Sequence, residues 1–421
     1  MSQAWLSYDN APPLWLPASF FAAATGWLFV LAAAAGLAVP AEANRYLPQV
    51  LALTHLLALG VLGNAMLGAL LQIAAVVAAV PTPRPRCLLI AIGLPWQLGT
   101  ALLASGFLAG LQPICFEAAA ACLLCALAAL LGHALAGLMR SPARDATSQG
   151  LRSALLGLAF AMPLGVLAAL ALTGRIATPV VPLLTSHVLW AGGVWLFGLV
   201  LAVSQTVIPM FLITPPFPAL TRHIGAMLLP LALVTSLASA VTDGTAAAVA
   251  LGTLATLFAA SVLRCLGQSR RPDDPARSQW RTVMLYLLAA VAAAWASLVW
   301  PGSASLPLAC GVLGLGGFGL GAILNMACKI LPFLCWLRLK ALNVPRQALP
   351  PTHGFLAETT QRRIGRWHML WLAVALLWCR WPQATAPLLS LASLALFAEL
   401  ASAAGRLIGR YRLARRHAQL R

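Results

Sequence analysis

Two histidines stand in similar surroundings within two long apolar segments of the chain. His55 lies in the run LTHLLALGVLGNAMLGALLQ, and His187 lies in LTSHVLWAGGVWLFGLVLAVSQ. Each histidine is followed five residues later by a glycine and 17 or 18 residues later by a glutamine. A neutral imidazole inside a bilayer is costly unless it has a polar partner or a metal. Two imidazoles at one depth therefore indicate a site for a metal ion or haem.

A structural role is the alternative for these two histidines. Each ring can donate a hydrogen bond to a backbone carbonyl or to a polar side chain on a neighbouring helix. Thr54, Ser186 and Gln97 are the polar residues at hand. A histidine that binds a metal also needs an acceptor for its second ring nitrogen, and the sequence alone does not identify one. Both roles stay open at this point.

A third candidate ligand for a cofactor is His133, within the run LLGHALAG near the inner end of another apolar segment. The alternative for His133 is packing, with a hydrogen bond to a neighbouring helix. The remaining four histidines are predicted to lie in loops or interfaces on the inner side, where they would face solvent or lipid. These four are His223, His353, His368 and His417.

The composition is that of a membrane protein, because 61% of the residues are hydrophobic and only 9% are charged. Apolar stretches of membrane-spanning length recur along the whole chain. No connecting segment is long enough for a soluble domain, so residues 1–421 are predicted to form a single integral membrane domain. Twelve spans are predicted, at 14–39, 48–80, 88–112, 114–139, 153–174, 181–213, 223–242, 245–266, 283–300, 305–337, 368–384 and 386–408.

The formal net charge is +18, and the distribution of the basic residues along the chain agrees with the predicted topology. With twelve spans and an inside N-terminus, 24 of the 27 lysines and arginines lie on the cytoplasmic side, and only Arg45, Arg175 and Arg380 lie outside. This bias predicts that both termini are cytoplasmic. The basic segments are expected to contact the bilayer and its acidic lipids at the cytoplasmic face. No basic surface interleaved with aromatic residues lies outside the membrane, so nucleic acid is not an expected partner.

The second, sixth and tenth spans form an internal repeat. Each exceeds 30 residues, is rich in glycine at its middle, and carries a polar residue near its inner end: Gln72, Gln205 and Lys329. Small residues let neighbouring backbones, or a flat cofactor, approach closely. The spacing of four helices predicts three repeated units of four helices each, at about 14–139, 153–266 and 283–408.

This pattern resembles the catalytic subunit of heme–copper oxidases, whose twelve helices form three arcs in pseudo-threefold order with inside termini. The pair Thr54-His55, followed by Gly60, Gly63 and Met66, also resembles the motif of NnrS-type membrane proteins that bind haem and copper. The resemblance implies an all-α fold with about twelve transmembrane helices in a bacterial inner membrane. It further implies haem or copper near the periplasmic face, a membrane partner subunit, and a link to respiratory or nitric oxide metabolism.

The chain departs from the oxidases at the residues that reduce oxygen. Those enzymes need a histidine and a tyrosine four residues apart in the sixth helix, and here His187 is followed by Ala191. They also need two histidines in the tenth helix, where the counterpart of His55 falls near Val312. We therefore expect no oxygen reduction, and the residues assign no enzymatic activity. Two other classes stay open: a cofactor-free assembly or structural subunit, and a secondary transporter.

Overall fold

A computed structural model of the chain describes residues 10–238, 245–344, 347 and 349–419. All regular structure in these residues is helical, and eleven of the helices there are long and apolar enough to cross a membrane. The protein is therefore an all-α polytopic membrane protein, as the sequence predicts. We number its long helices in chain order as α1 Trp15–Leu37, α2 Pro48–Ala78, α3 Pro85–Leu108, α4 Pro113–Arg140, α5 Ala146–Leu172, α6 Val180–Leu212, α7 Ala219–Ala238, α8 Thr245–Gly267, α9 Pro275–Val299, α10 Ser305–Ala341, α11 Glu358–Trp378 and α12 Pro382–Gln419. The predicted seventh span ends at residues 239–242, outside the described residues.

Local sequence sets the helix ends. Proline stands at the first position of α2, α3, α4 and α9, where its missing N–H has no helical partner to lose. Asp145 caps α5 by accepting a 3.0 Å hydrogen bond from the backbone N–H of Ser148, and Asp274 caps α9 by accepting one of 2.9 Å from Ala276. Such caps satisfy backbone donors that the first turn leaves free. Helices α2, α3 and α4 begin within three residues of the predicted positions, whereas α5 and α9 begin seven and eight residues earlier than the predicted 153 and 283, because their polar first turns lower the local hydropathy.

The predicted eleventh span, 368–384, is wrong in its bounds. Helix α11 begins at Glu358 and ends at Trp378, and the chain turns before α12 begins at Pro382. Charged residues in the first turns of α11 lower the mean hydropathy of that part of the chain, so hydropathy assigns only the later, apolar turns to the span. The charged and apolar turns form one continuous helix. The twelfth helix is also longer than the predicted 386–408. Arg363 on α11 pairs with Glu399 on α12, so the two helices run antiparallel side by side.

The three long central helices lie at the middle of the bundle. Helices α2, α6 and α10 contain 31, 33 and 37 residues. In the most apolar stretch of 18 residues of each, 83%, 72% and 44% of the residues are buried, in the same order. In the other candidate spans this fraction is at most 39%. A Cβ on Gly319 of α10 would lie 3.3 Å from both Leu62 of α2 and Leu196 of α6. The glycine therefore allows the three helices to meet.

Helix neighbours repeat every four positions along the chain. Each central helix packs against the helix that precedes it, namely α1, α5 or α9. Each of those three in turn packs against the last helix of another predicted unit: α1 against α12, α5 against α4, and α9 against α8. This pattern is that of three arcs of four helices. We call the two ends of the bundle outer and inner, following the orientation that the charges predict.

Each central helix widens to a π-helix at the same level. The wide segments are Leu56–Gly63 in α2, Leu189–Phe197 in α6 and Val312–Leu320 in α10. A π-helix bonds residue i to i+5, and such segments are frequent at functional sites. The sequence places Val312 at the position in α10 that corresponds to His55 in α2. In the structure, the wide segment of α10 begins at Val312 and that of α2 begins directly after His55. The three helices therefore share this local shape as well as a length above 30 residues.

The polar residue near the inner end of each central helix has a different environment in each case. Lys329 of α10 forms a 2.7 Å ion pair with Asp274, the cap of α9. Gln72 is buried and lines a small apolar cavity of about 50 Å³ between α1, α2, α6 and α10. Within the described residues, the side-chain amide of Gln205 has no hydrogen-bond partner. Only the tenth helix thus carries a charge at this level.

Candidate functional site

The rings of His55 and His187 lie next to each other at the outer end of the bundle. Their centroids are 6.3 Å apart and their planes are inclined by 22°. Each histidine lies seven residues after the first residue of its helix, Pro48 in α2 and Val180 in α6. Equal depth in two central helices therefore brings together two residues that are 132 positions apart in sequence.

Both histidines use the same ring nitrogen for a backbone hydrogen bond. The Nδ1–H of His55 donates to the carbonyl oxygen of Leu51 at 2.7 Å, and that of His187 donates to Ala161 on α5 at 2.8 Å. A carbonyl oxygen only accepts, so Nδ1 carries the proton and Nε2 keeps its lone pair in the neutral ring. Neither Nε2 has a hydrogen-bond partner within the described residues.

Small and aromatic residues surround the pair. The ring of His187 lies against Gly165 of α5, where a Cβ would come within 2.8 Å of its Cε1. On the other side, Phe107 stacks on His55 with ring centroids 5.3 Å apart, and Phe116 meets Phe107 edge-on at 4.9 Å. These neighbours hold both rings in an apolar setting that limits the access of water.

None of the three side chains predicted as partners of the histidines forms a hydrogen bond with them. Thr54 donates to the carbonyl of Val50 in its own helix at 2.8 Å. Gln97 bonds to Asn64, with 2.6 Å between its Nε2 and the Oδ1 of Asn64. The hydroxyl of Ser186 makes no hydrogen bond within the described part of the chain. The histidines therefore use backbone carbonyls alone, and only one nitrogen of each ring is satisfied.

The structure places His133 away from this pair. It lies in the π-helical segment Leu131–Leu135 of α4, twenty residues after the first residue of that helix, Pro113. At about 1.5 Å of rise per residue, this position is roughly 30 Å inward from the outer end. The ring of His133 has no hydrogen-bond partner within the described residues. The geometry therefore does not join it to His55 and His187, and its ligand role stays a prediction.

A buried amide network, which the sequence does not predict, lies at the inner end of the wide segment of α2. Asn64 is fully buried and donates from Nδ2 to the carbonyl of Gly60 at 2.7 Å, inside the wide segment of α2. Its Oδ1 accepts from Gln97, whose own Oε1 accepts from the indole of Trp27 on α1. The signal in the sequence was an isolated asparagine within a glycine-rich apolar run. The network therefore joins α1 and α3 to the wide segment of α2.

The prediction that His368 lies in a loop or at an exposed interface is wrong. Its side chain is 5% exposed, on α11, and its Nε2–H donates to the carbonyl oxygen of Gly316 at 2.7 Å. A Cβ on Gly321 of α10 would lie 2.9 Å from its Cε1, and Tyr286 of α9 meets its ring edge-on at 5.9 Å. The charged start of α11 concealed the fact that its later turns face the bundle interior.

The described residues offer no cluster of three or more histidine, cysteine, aspartate or glutamate side chains that would hold a metal ion. The histidine pair is therefore a two-ligand arrangement within the part of the chain that the structure describes. Two nitrogen ligands suit a metal ion of low coordination number, and copper is among the metals that imidazole binds well.

Fold and site together define a class: a polytopic all-α membrane protein with three central, glycine-rich helices and a histidine pair near one end. Comparison with known proteins adds no closer assignment. No protein-family model matches the chain, and a search of curated proteins finds no match. The proposals below therefore rest on the residues and their geometry.

Proposed function

We propose that the protein binds a metal cofactor, copper in the first instance, through Nε2 of His55 and Nε2 of His187. The separation of 6.3 Å between the two ring centroids carries the proposal. Metal–imidazole bonds are about 2.0 to 2.1 Å long, so one ion between two ring nitrogens requires centroids about 6 Å apart. The observed separation is therefore compatible with a single shared ion.

The state of the rings supports the same assignment. A metal-binding histidine usually donates its other N–H to a carbonyl or carboxylate, which fixes both the tautomer and the ring orientation. Leu51 and Ala161 supply such carbonyls to His55 and His187. The chain thus positions both rings before a metal arrives, and it leaves free the nitrogens that would bind one.

Haem fits this arrangement less well than a single ion does. Phe107 occupies one face of His55, with 5.3 Å between the ring centroids. Trp27 fills the space at Gly60, where a Cβ would lie 2.9 Å from the indole. A flat macrocycle would need room that these aromatic rings occupy, whereas one ion needs only the space between the two imidazoles.

The chemistry at the site follows from what the residues can do. Copper, when bound, supplies one-electron exchange at a position near the outer surface. The two imidazoles would hold the ion, the carbonyls of Leu51 and Ala161 would keep the rings oriented, and Phe107 would exclude water from His55. Within the described residues, no titratable side chain bonds to either histidine, so no proton donor adjoins the rings.

This function belongs to the wider proposal that the chain is a divergent relative of heme–copper oxidase catalytic subunits or NnrS-type proteins. In that proposal it lies in a bacterial inner membrane with both termini inside, beside a membrane partner subunit, and serves respiratory or nitric oxide metabolism. The repeated wide segments in α2, α6 and α10 support it. Reduction of oxygen is not part of the proposal, because α10 carries Val312 where an oxidase-like ligand would stand.

The test measures copper and haem per chain in protein purified from copper- and haem-replete cells. Wild-type protein should carry copper, and His55→Ala and His187→Ala should each lose most of it, because a single imidazole holds the ion weakly. His223→Ala is the matched control, since His223 is exposed on α7. It should keep the wild-type content.

Three results would count against copper at the pair. Wild-type protein that carries neither metal nor haem would favour the cofactor-free scaffold. Variants that keep all of their copper would place the metal elsewhere. An absorption spectrum of haem that depends on His55 and His187, without copper, would assign the pair to haem iron instead.

A further inference from the structure

A polar cleft of about 280 Å³ opens in the inner half of the bundle, between α9, α10 and α11. It is separate from the histidine pair, which lies at the outer end. Its lining includes Thr282 and Tyr286 from α9, Asn325 from α10, and Arg366 and His368 from α11. Polar walls of this kind are uncommon within a membrane bundle, where they mark sites that bind a ligand or an ion.

The charge at the mouth of the cleft is positive. Arg362 and Arg366 both line it and stand four residues apart on one face of α11. Arg362 bonds to the carbonyl of Asp273 and pairs with Glu358 at 3.5 Å. The side chain of Arg366 is exposed and makes no hydrogen bond or ion pair within the described residues. No acidic residue is among those that line the cleft, so an anion would meet the unpaired charge of Arg366 beside that of Arg362, which only the exposed Glu358 offsets.

The buried floor of the cleft offers hydrogen-bond acceptors, in contrast to the positive charge at its mouth. Asn325 is 2% exposed and donates from Nδ2 to the carbonyl of Ala276 at 3.1 Å, which leaves its buried Oδ1 without a partner. His368 donates from Nε2 to Gly316, so its Nδ1 keeps a lone pair and has no hydrogen-bond partner within the described part of the chain. A buried acceptor without a hydrogen-bond partner destabilises the fold. A ligand with hydroxyl donors would remove that destabilisation.

We propose that this cleft binds the headgroup of an anionic glycerophospholipid, with its phosphate at Arg362 and Arg366 and its free hydroxyls at Asn325 and His368. Guanidinium groups match phosphate oxygens in a bidentate manner. The volume, near the lower end of the range for ligand pockets at about 300 Å³, suits a headgroup rather than a whole lipid. The proposal is independent of metal binding at His55 and His187.

The surroundings favour a lipid over a soluble phosphate ester. Met369 lines the cleft and is 46% exposed, and Leu370 and Leu285 beside it are 49% and 58% exposed. These apolar side chains offer a surface for acyl chains next to the mouth. The cleft also begins at the first turns of α9 and α11, at the level where headgroups of the inner leaflet lie in the predicted orientation.

The experiment measures lipid retention by native mass spectrometry after reconstitution of the full-length protein in phosphatidylcholine bilayers, with and without phosphatidylglycerol. Wild-type protein should retain phosphatidylglycerol in preference to phosphatidylcholine. Arg366→Ala should weaken retention about fivefold, the usual effect of one arginine near an anionic headgroup. Thr282→Trp, which fills the cleft without changing charge, should abolish the preference.

Arg281→Ala is the matched control, because Arg281 is exposed on α9 at the same surface but does not line the cleft. A loss as large as that of Arg366→Ala would show that only the general surface charge matters, and would overturn the proposal. A second arm adds inorganic phosphate to protein in pure phosphatidylcholine and measures thermal unfolding. Stabilisation equal to that by phosphatidylglycerol would assign the cleft to a soluble phosphate and overturn the lipid assignment.

A third arm compares phosphatidylglycerol with phosphatidic acid, which has a phosphate but no headgroup hydroxyl. Phosphatidylglycerol should be retained more strongly, because only its hydroxyls reach the acceptors on Asn325 and His368. Equal retention of the two lipids would refute the role given to the floor of the cleft. His55→Ala should leave lipid retention and thermal stabilisation unchanged in every arm, because His55 does not line the cleft. Failure of the metal proposal can therefore be told apart from failure of the lipid proposal.

Discussion

The Nε2 of His368 lies 2.7 Å from the carbonyl oxygen of Gly316, across the interface between α11 and α10. Gly316 belongs to the wide segment of α10, and α2 shows a related contact where Asn64 bonds the carbonyl of Gly60 at 2.7 Å. A polar side chain thus bonds a carbonyl of the wide segment in two of the three central helices.

Replacement of His368 by alanine should destabilise the protein. The change removes the buried hydrogen bond to the carbonyl of Gly316, and such a bond contributes about 0.5 to 1.5 kcal/mol; it also opens a void beside Tyr286. The free energy of unfolding should fall accordingly in a denaturant titration monitored by circular dichroism in detergent. His223→Ala, at an exposed position, should change it by less than about 0.5 kcal/mol. Equal effects of the two changes would contradict the buried role.

A methyl group at Gly165 should displace the ring of His187. The added Cβ would lie 2.8 Å from Cε1 and 3.0 Å from Nδ1, so the ring would have to rotate away from the carbonyl of Ala161. Loss of an orienting contact lowers metal affinity by about 10- to 100-fold. We expect Gly165→Ala to fall in that range in a competition titration with a copper chelator.

Gly192→Ala is the matched control for this change, because Gly192 is on α6 with His187 and a Cβ there would meet nothing within 4 Å. It should bind copper as the wild type does. It should also be slightly stabilised, because alanine favours a helix by about 1 kcal/mol over glycine. Unchanged copper affinity in both variants would mean that the orientation of His187 does not matter.

Removal of the charge on Glu399 should weaken the contact between α11 and α12. Its carboxylate is 9% exposed and lies 2.6 Å from Nε of Arg363 and 3.3 Å from a guanidinium nitrogen of Arg406. Glu399→Gln should cost about 1.5 to 3 kcal/mol, the range for hydrogen bonds to charged groups. Glu358→Gln breaks only the exposed pair with Arg362 and should cost less than about 1 kcal/mol. Chemical denaturation separates the two, and a larger loss for Glu358→Gln would refute this ranking.

Labelling of Cys87 tests the orientation. This cysteine is exposed at the start of α3, on the side predicted to be cytoplasmic. A membrane-impermeant maleimide should therefore modify Cys87 only after the cells are lysed. For comparison, Ala304→Cys in a Cys87→Ser background places a thiol in the connection before α10, which should react in intact cells. The opposite pattern would invert the predicted topology.

Sequence alone determined the class of the protein and the depth of the histidine pair. A bilayer forces each crossing segment to satisfy its own backbone, so long apolar runs can be assigned as helices without knowledge of their neighbours. Within one helix, depth follows from counting at about 1.5 Å per residue. The equal distance of His55 and His187 from their helix starts was therefore accessible from residue positions.

Only the tertiary structure decided which groups meet. The separation of the His55 and His187 rings, the choice of Ala161 as an acceptor and the burial of His368 depend on how helices distant in sequence pack side by side. That packing follows from local close approaches, such as His187 against Gly165, which no periodicity records. Hydropathy also placed the start of α11 too late, because its arginines pair with Glu399 or line a polar cleft. Their partners lie on other helices, so the reason for a charged helix start becomes visible only once the chain is folded.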